Sequence, residues 1–98
     1  MVILIQNIVD GCDTNAQGAR VRTIIDEHLR DGSSIALDFS GIFNVTSSFV
    51  NTAFVDFIDE HGFDQFKKTV SLKNVNRQIS SMVTSRVKSV AAKLELAA

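Results

Sequence analysis

The sequence predicts an α/β fold: a small mixed sheet of three to four strands with three helices packed against it. Short apolar runs alternate with longer stretches whose apolar residues recur every three to four positions, in the order strand, helix, strand, helix, strand, helix. Glycines fall where elements should close, and proline is absent, so turns rest on Gly, Asn, Asp and Ser. Each connection is long enough for a crossover, so some strand pairs are expected to be parallel.

The first strand is expected over Val2–Val9, a nearly continuous apolar run closed by Asp10-Gly11. Thr14 and Gln17 have capping-box spacing and open a helix. Val21, Ile24, Ile25, His28 and Leu29 then share one helical face. Gly32 suits the left-handed position that ends a helix. The second strand is expected over Ser34–Phe39, turned by Ser40-Gly41, after which Ile42–Val45 crosses toward the next helix. Thr46, Ser47 and Ser48 supply candidate N-caps. Phe49, Val50, Ala53, Phe54, Phe57 and Ile58 make a wide apolar stripe, and Gly62 ends it. Phe63 and Phe66 are expected to pack within the connection, followed by a third strand over Thr69–Lys73. Asn74 or Asn76 caps a last helix, whose stripe runs Val75, Ile79, Met82, Val83, Val87 (or Arg86), Val90 and Leu94.

Ninety-eight residues with 45% apolar content suit a single domain, residues 1–98, with one core. That core must be aliphatic and phenylalanine, because there are seven Phe and no Trp or Tyr. A lone cysteine, Cys12, excludes an intrachain disulfide and fits a reducing compartment. The opening residues lack the basic start of a signal peptide, and no run approaches the roughly 20 apolar residues of a membrane span. The expectation is a cytoplasmic protein with no membrane association.

The formal charge of −1 conceals a split. Residues 1–66 carry three basic side chains against ten acidic ones. Residues 67–98 carry Lys67, Lys68, Lys73, Arg77, Arg86, Lys88 and Lys93 against Glu95 alone. Two readings are open. The basic helix neutralises an acidic body, its own or a second copy's, or it offers a basic face to nucleic acid or an acidic partner. Little aromatic material interleaves with these cations, so nucleic acid would be held by phosphate contacts alone.

Catalytic groups are sparse. His28 falls on or beside an apolar stripe, and His61 sits in a helix-ending turn; both read as structural. Cys12 has no neighbouring base and reads as a strand-edge residue. Asp10, Asp13 and Asp38 meet only if strand ends align, so no metal site and no cofactor are expected. The expectation is a protein that is not an enzyme.

The informative stretch is Leu37–Phe54, LDFSGIFNVTSSFVNTAF. Asp38 is placed to accept from backbone N–H groups of the turn that follows it. Hydroxyls at a helix start either cap the helix or suit it to hold a phosphate. Leu37-Asp38-Phe39-Ser40-Gly41 followed by Ser47-Ser48-Phe49 resembles the signature of the bacterial STAS-like domains of unknown function, which share the layout of anti-sigma factor antagonists. Gly18, Arg20 and Leu72–Asn74 support the resemblance, which spans roughly Val2 to Val87. It implies a sheet flanked by helices, no catalytic centre, and a role in protein–protein regulation. It further implies a histidine-kinase-type ATPase as partner, and places Ser47 at the position phosphorylated in true antagonists. Two departures stand out: Thr46 where that motif has Asp, and Phe49 where it has Gly.

The resulting expectation is a regulatory interaction module whose contact surface is formed by Asp38, Asn44, Thr46, Ser47 and Ser48. The rivals are nucleic-acid binding through the basic helix, and a homo-oligomer joined by surplus apolar surface on that helix.

Overall fold

In the computed structural model three parallel strands form a sheet in the order β1-β2-β3. The structure describes residues 1–97, with side chains described through residue 90; Lys93 and Leu94 are, as side chains, outside the described residues. β1 is Val2–Leu4, β2 Ile35–Asp38 and β3 Val70–Lys73. Register aligns Ile3, Leu37 and Leu72 across the sheet, and Leu4, Asp38 and Lys73 one step on. The expected α/β class and strand number stand. The sheet is wholly parallel rather than mixed, because every strand-to-strand connection carries a helix.

β1 is shorter than the apolar run suggests. Ile5–Asn7 turns into a 3₁₀ helix, and the Ile5 carbonyl accepts from the N–H groups of Ile8 and Val9. Ile5 and Val9 are buried and Ile8 is half-buried while Asn7 is exposed, a helical rather than an alternating pattern. The physical choice is between extending an edge strand past Gln6 and Asn7 and burying two apolar residues on one side, and burial wins.

α1, Asn15–Arg30, opens on the expected capping box. Gln17 N–H donates to Thr14 Oγ1 at 3.2 Å, while Thr14 N–H donates to Gln17 Oε1 at 3.0 Å. Gly32, at φ +69°, takes the left-handed place after its end, where an L side chain is strained.

α2 is continuous over residues 47–61. It begins as α-helix at Ser47–Val50, widens to a π turn at Asn51–Val55, and returns to α-helix at Asp56–His61. The six predicted stripe residues are all buried, and the extra residue of the π turn brings in Val55 as well. The π turn lies where α1 crosses. A Cβ on Gly18 would stand 2.7 Å from the Phe49 carbonyl oxygen and 3.0 Å from Thr52 Cβ, so only glycine permits this approach. Arg22 of α1 ties the other end, donating to Glu60 at 2.8 Å as well as to Asp26. Burial weakens its charge, but the two hydrogen bonds outweigh that and raise its pKa.

The expected connection at Phe63 and Phe66 is a fourth helix, α3, Phe63–Thr69. Gly62, at φ +92°, breaks the chain between α2 and α3. Phe66 stacks edge-on against Phe54 and Phe57, at ring separations of 5.7 and 6.0 Å. Each such pair adds roughly 0.5–1.5 kcal/mol beyond area burial.

α4, Arg77–Ala97, closes the layer. Its inward residues Ile79, Val83, Val87 and Val90 are buried in the chain's own core, with Val75 and Met82 packed against it. The stripe expected to join a second copy thus packs inward over these residues, with Val75 and Met82 partly exposed and Leu94 outside the described side chains. The helices cover one face of the sheet, where Ile35 and Leu37 are fully buried; Val2, Leu4, Ser71 and Lys73 on the alternate positions are exposed. Among the described residues no helix is long and apolar enough to cross a membrane.

Candidate functional site

A parallel sheet sends all its strands out at one end, so the loops after β1, β2 and β3 meet there. The motif residues occupy this end. Asp38, the last residue of β2, accepts at a single oxygen, Oδ1, from Ser40 N–H at 2.8 Å, Ser40 Oγ at 2.7 Å and Asn74 Nδ2 at 3.0 Å. These donors hold its carboxyl below the usual carboxylate range: the Ser40 hydroxyl first, then Asn74 and the Ser40 amide, with Lys73 adding positive charge. Asn74 reaches it from a left-handed backbone at φ +56°. The expected role of Asp38 in its turn is thus observed, and it extends to stapling the β2 and β3 ends together.

The loop from Ile42 to Thr46 is held on both sides. Asn76 Nδ2 donates to the Phe43 carbonyl at 2.7 Å. Gln78 makes a two-way amide pair with Val45, accepting from its N–H at 2.9 Å and donating to its carbonyl at 3.0 Å. From the opposite side, Thr46 N–H donates to the Cys12 carbonyl at 3.0 Å. Asn76 also caps α4, its Oδ1 accepting from Ile79 N–H at 2.9 Å, which settles the choice between Asn74 and Asn76.

Among the three hydroxyls at the start of α2, Thr46 is the cap. Its Oγ1 accepts from Phe49 N–H at 3.2 Å and donates to the Asp13 carbonyl at 2.9 Å, so both capacities are used. Ser47 and Ser48 follow on the helix, exposed, and their hydroxyls make no hydrogen bond among the described residues. Phe49 is fully buried and faces the core, leaving the surface above Ser47 clear of its ring. Asn44 is exposed in the pinned loop. The end therefore holds two bonded groups, Asp38–Ser40–Asn74 and Thr46–Asp13–Phe49, with Ser47 and Ser48 beside the second.

Phe43 is the residue the sequence reading missed. It is 81% exposed, although the backbone on either side of it is tied down. It borders an open depression of about 290 Å³ lined by Asp10, Gly11, Cys12, Asp13, Gly41, Ile42 and Asn44. Spacing gave no sign of this, because Phe39 four residues before and Val45 two after offer Phe43 apolar partners at helical and strand spacing.

The other chemistry-bearing residues lie elsewhere. Cys12 is a buried loop residue, not a strand-edge one: its segment follows the 3₁₀ turn and packs under the Thr46 cap. Burial, with the Asp13 charge, pushes its thiol up to about 11. His28 Nδ1 lies 2.9 Å from Ser33 Oγ, and the His61 ring packs on Phe57 with Glu60 at 3.7 Å. Among the described residues no group of three His, Cys, Asp or Glu is placed to hold a metal ion.

The expected basic surface is dispersed. Lys67 and Lys68 precede β3 and Lys73 ends it, so they sit at opposite ends of the sheet. Arg77 opens α4, Arg86 is half-buried and donates to Asn51 Oδ1 at 3.0 Å, and Lys88 is exposed a half-turn on. Among the described residues none of these cations forms an ion pair with a carboxylate; the pairs involve Arg22 and His61. Among the described residues, then, no close ion pair ties α4 to the acidic body.

These features define a two-layer parallel α/β domain that presents free hydroxyls and an exposed aromatic at the carboxyl ends of its strands. The chain belongs to the family of STAS-like domains of unknown function, whose family model matches residues 17–80. That span runs from the capping Gln17 through the motif to the first turn of α4. No curated protein and no solved structure gives a significant match.

Proposed function

We propose that the protein is a non-catalytic, cytoplasmic regulatory module of bacterial type that binds another protein through the start of α2. The observation that carries this reading is the pair Ser47 and Ser48, exposed and unbonded beside a loop fixed from both sides. A surface already ordered before contact loses little conformational entropy on binding. Its N–H-rich helix start favours a negative group placed there. Phosphorylation at Ser47 would set a dianionic group beside the Asp10 and Asp13 loop, so it would repel an acidic neighbour and attract a basic one.

The partner we propose is a histidine-kinase-type ATPase. The test is a complex between the chain and such an ATPase recovered from the native cells. Ser47→Asp is expected to release the complex and Ser47→Ala to keep it. If neither substitution changes it, the phosphate reading is wrong. Nucleic-acid binding through the cations gains no support from their placement at opposite ends of the fold.

A further inference from the structure

We infer that the chain assembles head to tail with further copies of itself, the Phe43 end of one molecule seating against the opposite end of the next. This inference goes beyond the partner reading and uses different side chains. At the carboxyl end of the sheet stands Phe43, 81% exposed on a loop that is pinned by Asn76 and Gln78. Asp10 and Asp13 are the charged residues lining the depression beside it. At the amino end, before β2 and β3, lies a second depression of about 360 Å³. Leu29 and the methyl group of Thr69 give it an apolar part within a mostly polar lining, and Lys68 is the one charged residue there.

The two ends are complementary in sign. One offers an aromatic side chain with two acids, and the other a concavity with one cation. A benzyl group is smaller than the ligands that sites of about this volume accept. Lys68 supplies a cation both for the ring face and for the acids around it. These groups have no ionic partner within their own chain among the described residues. The occupant is a second copy because this chain itself carries both halves. The halves lie at opposite ends of parallel strands, so the contact joins unlike surfaces. Such a contact does not close on itself at two molecules; it continues as a ring or a filament.

Each depression is small and the complementary charges are few and exposed, so association is expected to be weak and sensitive to salt. Sedimentation velocity of the full chain from about 10 µM to about 1 mM, the range where weak contacts form, reads it directly. The weight-average mass should climb past that of a dimer, and fall when salt is raised. Phe43→Ala and Lys68→Glu should each weaken self-association by about thirtyfold, the scale of losing a central anchor. Both positions are exposed, so circular dichroism should show the fold intact. Mixing the two variants is decisive. Each keeps one good end, so the mixture should form a dimer of unlike variants and stop there. A wild type that stays monomeric, a plateau at two copies, or variants that assemble as well as wild type would each overturn the proposal.

Discussion

Replacing Gly18 by alanine sets two effects of opposite sign against each other. In an isolated helix the change stabilises by about 1 kcal/mol, because alanine loses less backbone freedom on folding. Here the new Cβ would lie 2.7 Å from the Phe49 carbonyl oxygen, 3.0 Å from Thr52 Cβ and 3.3 Å from Ala53 N. Two of those atoms are backbone, so no side-chain rotation relieves the contact; α1 and α2 must separate. Overpacking of this kind costs roughly 1–3 kcal/mol, and a contact with rigid backbone belongs at the upper end. The net expectation is a loss of about 1–2 kcal/mol, or a drop in Tm of several degrees for a chain of this size. Thermal unfolding followed by circular dichroism measures it. The shift should come with altered chemical shifts at Ser47 and Ser48, because the helix that Gly18 meets is the one that carries them. An unchanged or higher Tm would show that the helices do not cross this closely, and would remove the account given for the π turn.

Three further expectations follow from single residues. Asn76→Ala should cost about 1 kcal/mol for the lost cap, and it should raise amide exchange around Phe43, whose carbonyl loses its donor; unchanged exchange would mean that the loop is held by other contacts. Asp38 has a depressed pKa, so its contribution is present above the ordinary carboxylate range and is lost as pH falls through its folded value. Urea midpoints should therefore decline less between about pH 5 and pH 3 in Asp38→Asn than in wild type, and equal declines would contradict the assignment. Cys12, raised to about 11, withholds its thiolate, so stability is full below pH 9 and falls as pH climbs toward 11. At pH 8 a thiol reagent should react at the rate of unfolding, and immediate reaction of the native chain would place Cys12 at the surface.

Where the sequence was legible, one local rule dominated. The capping box at Thr14, the glycine stop at Gly32 and the stripe of α2 each follow from spacing alone, and each appears as read. Asp38 was legible too, because a carboxylate one residue before a turn has few other donors to meet. The failures lie where two periods overlap or where tertiary contact decides. Ile5, Ile8 and Val9 fit a strand by composition and a turn by spacing, and only packing chooses between them. The stretch Phe63–Thr69 is too short for a helical period to register. The π turn depends on how closely α1 approaches, which no reading of α2 by itself contains. Exposure of Phe43 depends on which way a pinned loop faces, and sequence carries no record of that.

The central claim is that the start of α2 and its flanking loops form a protein-contact surface. Amide chemical-shift mapping of the chain during titration with the proposed ATPase partner tests this most directly. The account predicts changes concentrated at Asn44–Ser48 and the Asp38 turn, with Lys67, Lys68 and Lys88 unmoved at dilutions where the chain is monomeric. Changes centred on α4, or on the open sheet face around Val2 and Leu4, would contradict it.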